Sequence, residues 1–419
     1  MKIEIISTGE EVLSGSVIDS NAAFIAQSLI GAGFEVIRHS CVGDKKVDII
    51  HLLREAEGRV DAVVVTGGLG PTDDDRTTEA AAEAWGRELA FDDEAAVSVE
   101  SYFMNMGRPV PDTNKKQMLL PKGSRCLENK VGTAPGFFMD QGKTYFFFLP
   151  GVPWEMKHML AVHVIPMLRV LSGNTREIFT MATLSHFGIA EADVNHRLKD
   201  IETVFPGVTL GLQAVFPVIQ VKLYARGERE DELNRMLEQA KSWVLERTGA
   251  YVFSTRGLEL AEEIARLLVG KKMTLALAES CTGGLIAHMI TGVPGSSAYF
   301  LFSAVTYSNQ SKIKVLDVRE QTLDTYGAVS RETVIEMAEN SRKIAGADVG
   351  LAISGIAGPS GGSPEKPVGT VFIGISTCSG TESHVFTSPF ADRGMNKKIF
   401  AMKALELLWR NIDGPSFIA

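Results

Sequence analysis

The 419-residue chain has few cysteines, and they lie far apart in the sequence. Its four cysteines form no CxxC pair, which argues against a disulfide scaffold and a cysteine-built zinc site. The eight histidines include no HExxH motif or paired spacing, so a histidine-built metal site has no support. No apolar run is long enough to span a bilayer, and the first residues enter a strand pattern without a signal peptide. We therefore expect reduced thiols, no membrane partner and a cytoplasmic location.

An excess of basic residues is also missing. The formal net charge is -9, which argues against a general polyanion binder, so direct nucleic-acid binding is not expected. With 45% hydrophobic and 22% charged residues, the composition is typical of a globular protein. The length predicts two or three domains, and changes in character along the chain place them at residues 1–165, 166–255 and 256–419.

The N-terminal third alternates between strand and helix patterns. Strands are predicted at residues 2–7, 35–42 and 62–66, and helices at residues 21–32 and 47–57. This alternation predicts a doubly wound α/β domain with a mostly parallel sheet covered on both faces. Ligands of such sheets bind beyond the carboxyl ends of the strands, where the polar and glycine-rich segments of this domain fall.

The loop TGGLGPTDDDRT, residues 66–77, is the most informative of these segments. Its glycines allow backbone N–H groups to approach a phosphate, and a helix is predicted from about Thr77. Three successive aspartates repel a bare phosphate but suit a divalent cation that bridges carboxylate and phosphate. The same residues also fit a glycine turn before an acidic helix start, and the residues alone leave both interpretations open. Neither the P-loop nor the GxGxxG pattern is present.

Together with TGEEVLSGSVIDSNAAF before it and KVGTAPGFF and LPGVPWEM after it, this loop resembles the molybdopterin-binding-like domain of the CinA family. The resemblance covers roughly residues 1–165 and implies a metal-dependent ADP-ribose pyrophosphatase. It implies catalysis by Asp44 and Asp75 and a divalent metal on Asp44, Asp74 and Asp75, with a monovalent cation as an optional addition. The implied substrate contacts are Gly67, Gly68, Gly70 and Thr72.

Residues 166–255 show a different pattern, with strands at 176–183, 208–213 and 218–224 and helices at 189–199 and 230–247. This order predicts a small α+β domain. Its topology is similar to that of RNA-binding KH modules, but no GxxG loop lies between helices. We interpret the segment as a connector that forms a homodimer, with nucleic-acid binding as the weaker alternative.

The last third again predicts an α/β domain. The strand at residues 273–278 leads into the polar turn ESCTGG, residues 279–284. Further elements follow that turn along the chain. They are strands at 302–307, 349–354 and 370–376, a short segment around Lys312, and helices at 331–344 and 393–409. Another helix, at 258–268, precedes the strand at 273–278.

Several residues of this third could supply a nucleophile. Ser280 and Cys281 lie on a tight turn after a strand, where exposed nucleophiles occur, although GxSxG is absent. Ser297 opens a helix-like run. No Ser/His/Asp arrangement is evident, but a Ser/Lys pair needs no histidine, and Lys312 could accept a proton if burial lowers its pKa. Tyr307 could position that proton. Each residue alone also fits a helix cap or a solvated side chain, so the choice stays open.

The segments AESCTGG, VPGSS, VTYSNQSK, GAVS, SGIAGPSGGSPEKPVGTV and ADR resemble the CinA C-terminal domain over roughly residues 257–412. The resemblance implies a nicotinamide mononucleotide amidohydrolase that needs no cofactor. It implies Ser297 as the nucleophile, with Lys312 and Tyr307 completing the site and Arg393 at the phosphate or carboxamide. The implied substrate contacts are Glu279, Ser280, Cys281, Thr282, Gly283, Ser354, Gly355, Gly358 and Arg393.

The resemblances together predict a bifunctional enzyme of pyridine-nucleotide recycling. One half would hydrolyse nicotinamide mononucleotide to nicotinic acid mononucleotide and ammonia, and the other would hydrolyse ADP-ribose to AMP and ribose 5-phosphate. Two alternatives stand beside this prediction. The protein could be a competence or DNA-damage adaptor that binds a recombination protein, or its N-terminal domain could bind a molybdopterin precursor without catalysis.

Overall fold

A computed structural model describes residues 1–173 and 178–413. The chain divides into two compact units. The first contains residues 1–180 and 226–233, and the second contains residues 181–225 and the described chain from residue 234 onward. The first residues of the strand predicted at 176–183 lie outside the described part of the chain. Within that part, no helix has the length and apolar character needed to cross a membrane.

The N-terminal part alternates between strands and helices, as its apolar periodicity predicts. Its strands and helices are, in chain order, β1 (Lys2–Thr8), α1 (Glu10–Leu13), α2 (Ser20–Gly31), β2 (Glu35–Val42), α3 (Lys46–Ala56), β3 (Ala62–Thr66), α4 (Thr77–Ala84), β4 (Leu89–Phe91), α5 (Asp93–Asn105), β5 (Leu119–Pro121), β6 (Arg125–Leu127), β7 (Gly136–Asp140), β8 (Tyr145–Leu149), α6 (Pro153–Met159) and α7 (Ile165–Leu171).

Six of these strands form one sheet in the order β2-β1-β3-β8-β7-β6. The first four run parallel, and β7 and β6 join antiparallel. Alternate residues of β3 enter opposite cores: Val63 packs among residues of α3 and α4, and Val64 packs among residues of α2 and α6. Helices thus cover both faces, which confirms the doubly wound class.

The middle segment forms a small α+β sandwich. Its elements are β9 (Ile178–Phe187), α8 (Glu191–Leu198), α9 (Ile201–Val204), β10 (Val208–Val215), β11 (Val218–Gly227), α10 (Glu230–Thr248) and β12 (Val252–Ser254). The sheet order is β10-β11-β9-β12. Only Lys199 and Asp200 separate α8 from α9, so this connection has no room for a GxxG loop.

The C-terminal part contains a second doubly wound sheet. Its elements are α11 (Leu260–Lys271), β13 (Leu275–Glu279), α12 (Leu285–Thr291), β14 (Phe300–Val305), α13 (Asn309–Leu316), α14 (Glu320–Tyr326), α15 (Arg331–Ala345), β15 (Val349–Gly355), β16 (Thr370–Thr377), β17 (Gly380–Thr387) and α16 (Arg393–Asp413).

The order of this sheet is β14-β13-β15-β16-β17, with the first three strands parallel and the last two antiparallel to their neighbours. One large apolar core lies against it, built mainly from α11, α16 and the inward residues of β13 and β15. Phe187, Val218 and Phe253 of the middle segment belong to the same core. This shared core explains why most of the middle segment falls into one compact unit with the C-terminal part.

Candidate functional site

A cavity of 180 Å³ lies at the carboxyl ends of the parallel strands β13, β14 and β15. The chain leaves β13 towards β14 on one side and then returns to β15 on the other side. Such a reversal opens a crevice above the sheet, where α/β proteins bind ligands. The residues that line the cavity are Ser280, Cys281, Tyr307, Lys312, Ala328, Val329, Ser354, Gly355, Ala357 and Arg393.

Lys312 is the central buried group of this cavity. It lies on α13 with no exposed surface, and its Nζ donates to Ser280 Oγ at 3.0 Å. The same ammonium donates to the backbone oxygen of Thr306 at 2.7 Å and more weakly to that of Tyr307 at 3.4 Å. No carboxylate pairs with it among the described residues. Two backbone oxygens therefore hold Nζ beside a serine hydroxyl at the end of β13.

The surroundings of Lys312 favour its neutral form. Burial removes water from the ammonium and lowers the pKa of Lys312 from 10.5 to about 8. At pH 7 about one-tenth of a group with this pKa is neutral, and at pH 8 about half is neutral. A neutral amine 3.0 Å from a hydroxyl can accept its proton, so the pair has the geometry of a Ser/Lys nucleophile.

The structure places Ser297 away from the cavity that holds Lys312, whereas the resemblance implies that the two residues act together. Ser297 is exposed in a short 3₁₀ helix before β14, and it does not line the cavity. Lys312 contacts the residues that follow β14. The five steps from Phe300 to Val305 cover about 17 Å, so Ser297 and the Lys312 ammonium lie at opposite ends of the strand. The hydroxyl beside Lys312 belongs to Ser280, which lies on the turn considered for a nucleophile and which the resemblance implied only as a substrate contact.

The turn after β13 builds the rest of this wall. Burial raises the pKa of the Cys281 thiol to about 12, so its thiolate is scarce near neutral pH. Glu279 is buried, and its carboxylate accepts from the backbone N–H groups of residues 284, 286 and 287 at 2.8–3.1 Å. It thus caps the start of α12 instead of lining the cavity. Thr282 is buried, and Gly283 has a φ of 63°; neither lines the cavity.

Arg393, at the start of α16, bridges two sides of the cavity mouth. Its guanidinium donates to Gly358 O at 2.8 Å and to Tyr307 Oη at 3.0 Å. Tyr307 is 62% exposed, and only its backbone oxygen contacts Lys312. The described contacts therefore include no hydrogen bond between the Tyr307 hydroxyl and Lys312, which the predicted proton relay requires. Both side chains are placed to contact the outer part of a ligand.

The opposite wall comes from the end of β15. Ser354 is buried, and its hydroxyl donates to Ala328 O at 2.7 Å, while Gly355 lines the cavity beside it. This bond ties β15 to the segment that carries Ala328 and Val329, two lining residues that the site prediction did not include. The motif GAVS, residues 327–330, was the available signal for them.

A second cavity, of 320 Å³, lies at the carboxyl ends of strands in the N-terminal sheet. It sits where the chain order reverses between β1 and β3. The lining residues are Thr8, Gly9, Glu11, Asp44, Gly67, Gly68, Gly70, Pro71, Asp74, Asp75, Thr133, Ala134, Pro150, Gly151, Val152 and Glu155. The structure thus gathers Asp44, Asp74, Asp75 and the three predicted glycines around one space. Thr72 does not line it but contacts Asp75.

Hydrogen bonds from the protein use some of the acceptor positions of the carboxylates around this cavity. Asp75 accepts from the Thr72 backbone N–H at 2.9 Å and from the Thr72 hydroxyl, and Asp44 accepts from the Glu10 N–H at 2.9 Å. Hydrogen bonding to Thr72 also lowers the pKa of Asp74. No three acidic, histidine or cysteine side chains of the described chain converge closely enough to hold a metal ion alone. The residues present suit a cation that takes its other ligands from phosphate and water.

A neighbouring 3₁₀ helix, residues 112–118, holds this loop by its backbone oxygens. Lys116 Nζ donates to Asp75 O at 3.0 Å and to Thr72 O, and the Gln117 side chain donates to Leu69 O at 3.0 Å. The Asn114 amide in turn donates to Gln117 Oε1 at 2.8 Å. These residues were not predicted from the sequence, because no periodicity or motif links them to a loop that lies more than 40 residues earlier in the chain.

Three parts of the chain match models of known protein families. Residues 4–170 match the family described as probable molybdopterin binding domain, residues 182–254 match the damage-inducible protein CinA KH domain, and residues 258–412 match the CinA C-terminal domain. A CinA-like protein of Desulfosudis oleivorans is 49% identical over 413 residues, covering 98% of this chain and 100% of that protein. The chain belongs to the CinA family.

Another relative of this CinA-family chain carries the name of an enzyme. The nicotinamide-nucleotide amidohydrolase PncC of Shewanella oneidensis is 40% identical over 418 residues, covering 100% of this chain and 97% of that protein. The crystal structure of a competence/damage-inducible protein from Agrobacterium tumefaciens is 38% identical and covers 36% of this chain and 94% of that chain, with a TM-score of 0.34. The family models and the full-length relatives confirm the family predicted from the sequence, and the sheets described above confirm the α/β fold class.

Proposed function

We propose that this CinA-family protein is an amidohydrolase that converts nicotinamide mononucleotide to nicotinic acid mononucleotide and ammonia at its C-terminal site. The main support for this proposal is the 3.0 Å hydrogen bond between the buried Lys312 ammonium and Ser280 Oγ. The name of the Shewanella relative, which aligns over the whole of this chain, supports the choice of substrate.

Ser280 and Lys312 can carry the whole reaction. Neutral Lys312 takes the Ser280 proton while Oγ attacks the carboxamide carbon, and the protonated amine then gives that proton to the departing nitrogen, which leaves as ammonia. Water next attacks the ester formed on Ser280. Lys312 takes a proton from this water and returns it to Ser280 Oγ as the carboxylic acid leaves.

The cavity fits one end of the proposed substrate. At 180 Å³ it is smaller than sites that enclose a whole drug-sized ligand, which hold roughly 300–1,000 Å³. The nicotinamide ring would enter the cavity, and the ribose phosphate would lie at the mouth. Arg393 is the cationic side chain that lines the mouth, and its planar guanidinium suits a phosphate.

Ammonia release tests this proposal directly. Ser280→Ala should lower the rate by at least about a hundredfold, because the nucleophile is lost. Ser297→Ala is the matched control and should keep nearly the wild-type rate, since Ser297 is exposed and outside the cavity. Full activity of Ser280→Ala, or its loss in Ser297→Ala, would overturn the assignment.

We further propose that the N-terminal site hydrolyses ADP-ribose to AMP and ribose 5-phosphate. The cavity beside Gly67, Gly68 and Gly70 supports a phosphate site, and Asp44, Asp74 and Asp75 on its rim would hold a divalent cation together with phosphate oxygens and water. Such a cation, when bound, would neutralise charge on the diphosphate. The glycine loop would bind the phosphates, and the carboxylates would orient the attacking water.

A neighbouring aspartate provides the control for this second activity. Asp75→Asn should lower metal-dependent AMP release from ADP-ribose by at least about tenfold. Asp73→Asn should not, because Asp73 belongs to the same loop but does not line the cavity. Equal rates in the two variants, or equal rates with and without a chelator, would refute this part of the proposal. The predicted domains 1–165, 166–255 and 256–419 and the homodimer are retained as proposals.

A further inference from the structure

One buried carboxyl group of the N-terminal cavity has no part in the chemistry proposed above. Glu155 lies in the first turn of α6, is 6% exposed, and lines the same cavity as the acidic loop. Burying a carboxyl group costs free energy unless hydrogen-bond donors compensate. No cationic side chain pairs with Glu155 in the described ranges.

The protein holds this carboxyl group from two sides. The Asn129 amide donates to Glu155 Oε2 at 2.6 Å and to Ala134 O at 2.9 Å. Asn129 is itself fixed, because its Oδ1 accepts from the Val131 N–H at 3.1 Å. Gly132 packs directly on the carboxyl group, since a Cβ at that position would come within 1.9 Å of Glu155 Cδ. A larger residue at position 132 would displace the carboxyl group from this position, so the loop and helix α6 together form a seat for the Glu155 side chain.

The hydrogen bonds inside this seat leave acceptor capacity towards the cavity. A carboxylate has about four lone-pair positions for hydrogen bonds. The Asn129 amide and the backbone of Ala134 account for two of them. A ligand in the cavity can therefore donate to Glu155, and a neutral donor such as a hydroxyl group would add no charge to the buried site.

The closeness of Glu155 to the glycine loop indicates which group of a ligand would contact Glu155. Gly151, just before α6, packs against the loop, since a Cβ at Gly151 would lie 3.3 Å from Gly67 Cα. Glu155 follows four residues later, in the first turn of α6, and lines the same cavity as Gly67 and Gly68. In a nucleotide the ribose is bonded directly to the phosphate, and the base lies further away. A phosphate on the glycine loop thus brings ribose hydroxyls near Glu155.

We propose that Glu155 is a specificity-determining residue that accepts hydrogen bonds from the ribose hydroxyls of a ribose 5-phosphate unit bound at the glycine loop. This inference rests on the proposed N-terminal function to the extent that both require a nucleotide in this cavity. It adds a recognition element for the sugar, whereas the aspartates act on the diphosphate.

Calorimetric binding of AMP and of 2′,3′-dideoxy-AMP to the full-length protein, with and without Mg²⁺, tests the proposal. The wild type should bind AMP about ten- to a hundredfold more tightly than the dideoxy analogue, as expected for a hydrogen bond to a charged group. Glu155→Met, similar in length but without acceptors, should reduce this ratio to below about threefold. Glu128→Gln is the control, since Glu128 pairs with Lys130 outside the cavity. It should keep the wild-type ratio.

Four outcomes would overturn the proposal: an unchanged ratio in Glu155→Met, no preference in the wild type, no AMP binding at all, or loss of the preference in Glu128→Gln. If Glu155→Met does not fold, Glu155→Gln decides, because it removes the charge while keeping the shape, and its ratio should fall at least threefold. IMP replaces the adenine amino group, and an AMP-to-IMP ratio that depends on Glu155 would assign the carboxyl group to the base and refute the ribose contact.

The proposed reaction and this inference can fail separately. A wild type that binds AMP with the expected preference but releases no AMP from ADP-ribose would refute the reaction and support the ribose contact. A wild type that hydrolyses ADP-ribose while Glu155→Met keeps the full AMP preference would support the reaction and refute the ribose contact.

Discussion

Replacement of Lys312 by arginine or methionine tests whether this residue acts as a base. Arginine keeps a positive charge at every accessible pH, and methionine has no nitrogen, so neither can accept the Ser280 proton. General-base catalysis contributes about 10²–10⁴ in rate, and we expect both variants to lose activity by a factor in this range. Lys314→Met should keep the wild-type rate, because Lys314 is an exposed residue on the same helix and does not line the cavity.

The pH profile of the wild type gives the second half of this prediction. Since burial lowers the pKa of Lys312 to about 8, kcat/KM for ammonia release should rise about tenfold per pH unit below pH 8. It should level off above that value. The assay is ammonia release from nicotinamide mononucleotide between pH 6 and about pH 10. A flat profile, or a Lys312→Arg rate within threefold of the wild type, would refute the reasoning.

Three further predictions concern stability and reactivity. The unfolded chain holds the Lys312 proton up to about pH 10.5, and the folded chain holds it only up to about pH 8. The free energy of unfolding of the wild type should therefore rise between about pH 8 and about pH 10.5. Thermal unfolding of Lys312→Met should show a smaller rise over the same range. Ellman's reagent should label two of the four thiols quickly in the folded protein, the exposed Cys41 and Cys378, and labelling of all four at one rate would contradict this burial. Glu279→Gln should lower the free energy of unfolding by about 1–3 kcal/mol, because an amide cannot accept from all three N–H groups of α12; unchanged denaturant midpoints would argue against the cap.

The regular elements followed from the sequence where a short-range pattern determined them. The strands Glu35–Val42 and Ala62–Thr66 have the bounds predicted from their apolar patterns. Helix α5 and strand β17 were not predicted, and no bounds were predicted for α12. α12 has only seven residues, and its start depends on the carboxylate of Glu279, whose side-chain direction no periodicity reveals.

The sequence predicted the candidate sites only in part, because the contacts that define these sites join segments that are distant in the chain. The turn at Ser280 and the lysine at position 312 were both recognised, but the resemblance paired Lys312 with Ser297 instead. Strand polarity favours Ser280, since residues that follow parallel strands meet at one edge of the sheet and Ser297 precedes its strand. The Glu155–Asn129 pair was beyond sequence reasoning, because its 2.6 Å contact depends on how a loop packs on α6.

Mass spectrometry of a quenched reaction tests the central claim most directly. Full-length protein turns over nicotinamide mononucleotide at about pH 8 and is then quenched with acid, which protonates Lys312 and stops it from activating water against the ester already formed. The quenched protein is digested. We predict that the acyl group of nicotinic acid mononucleotide appears on the peptide that contains Ser280 and is missing in Ser280→Ala. The acyl group on the peptide that contains Ser297, or its persistence in Ser280→Ala, would contradict the assignment of Ser280 and Lys312 as the catalytic pair.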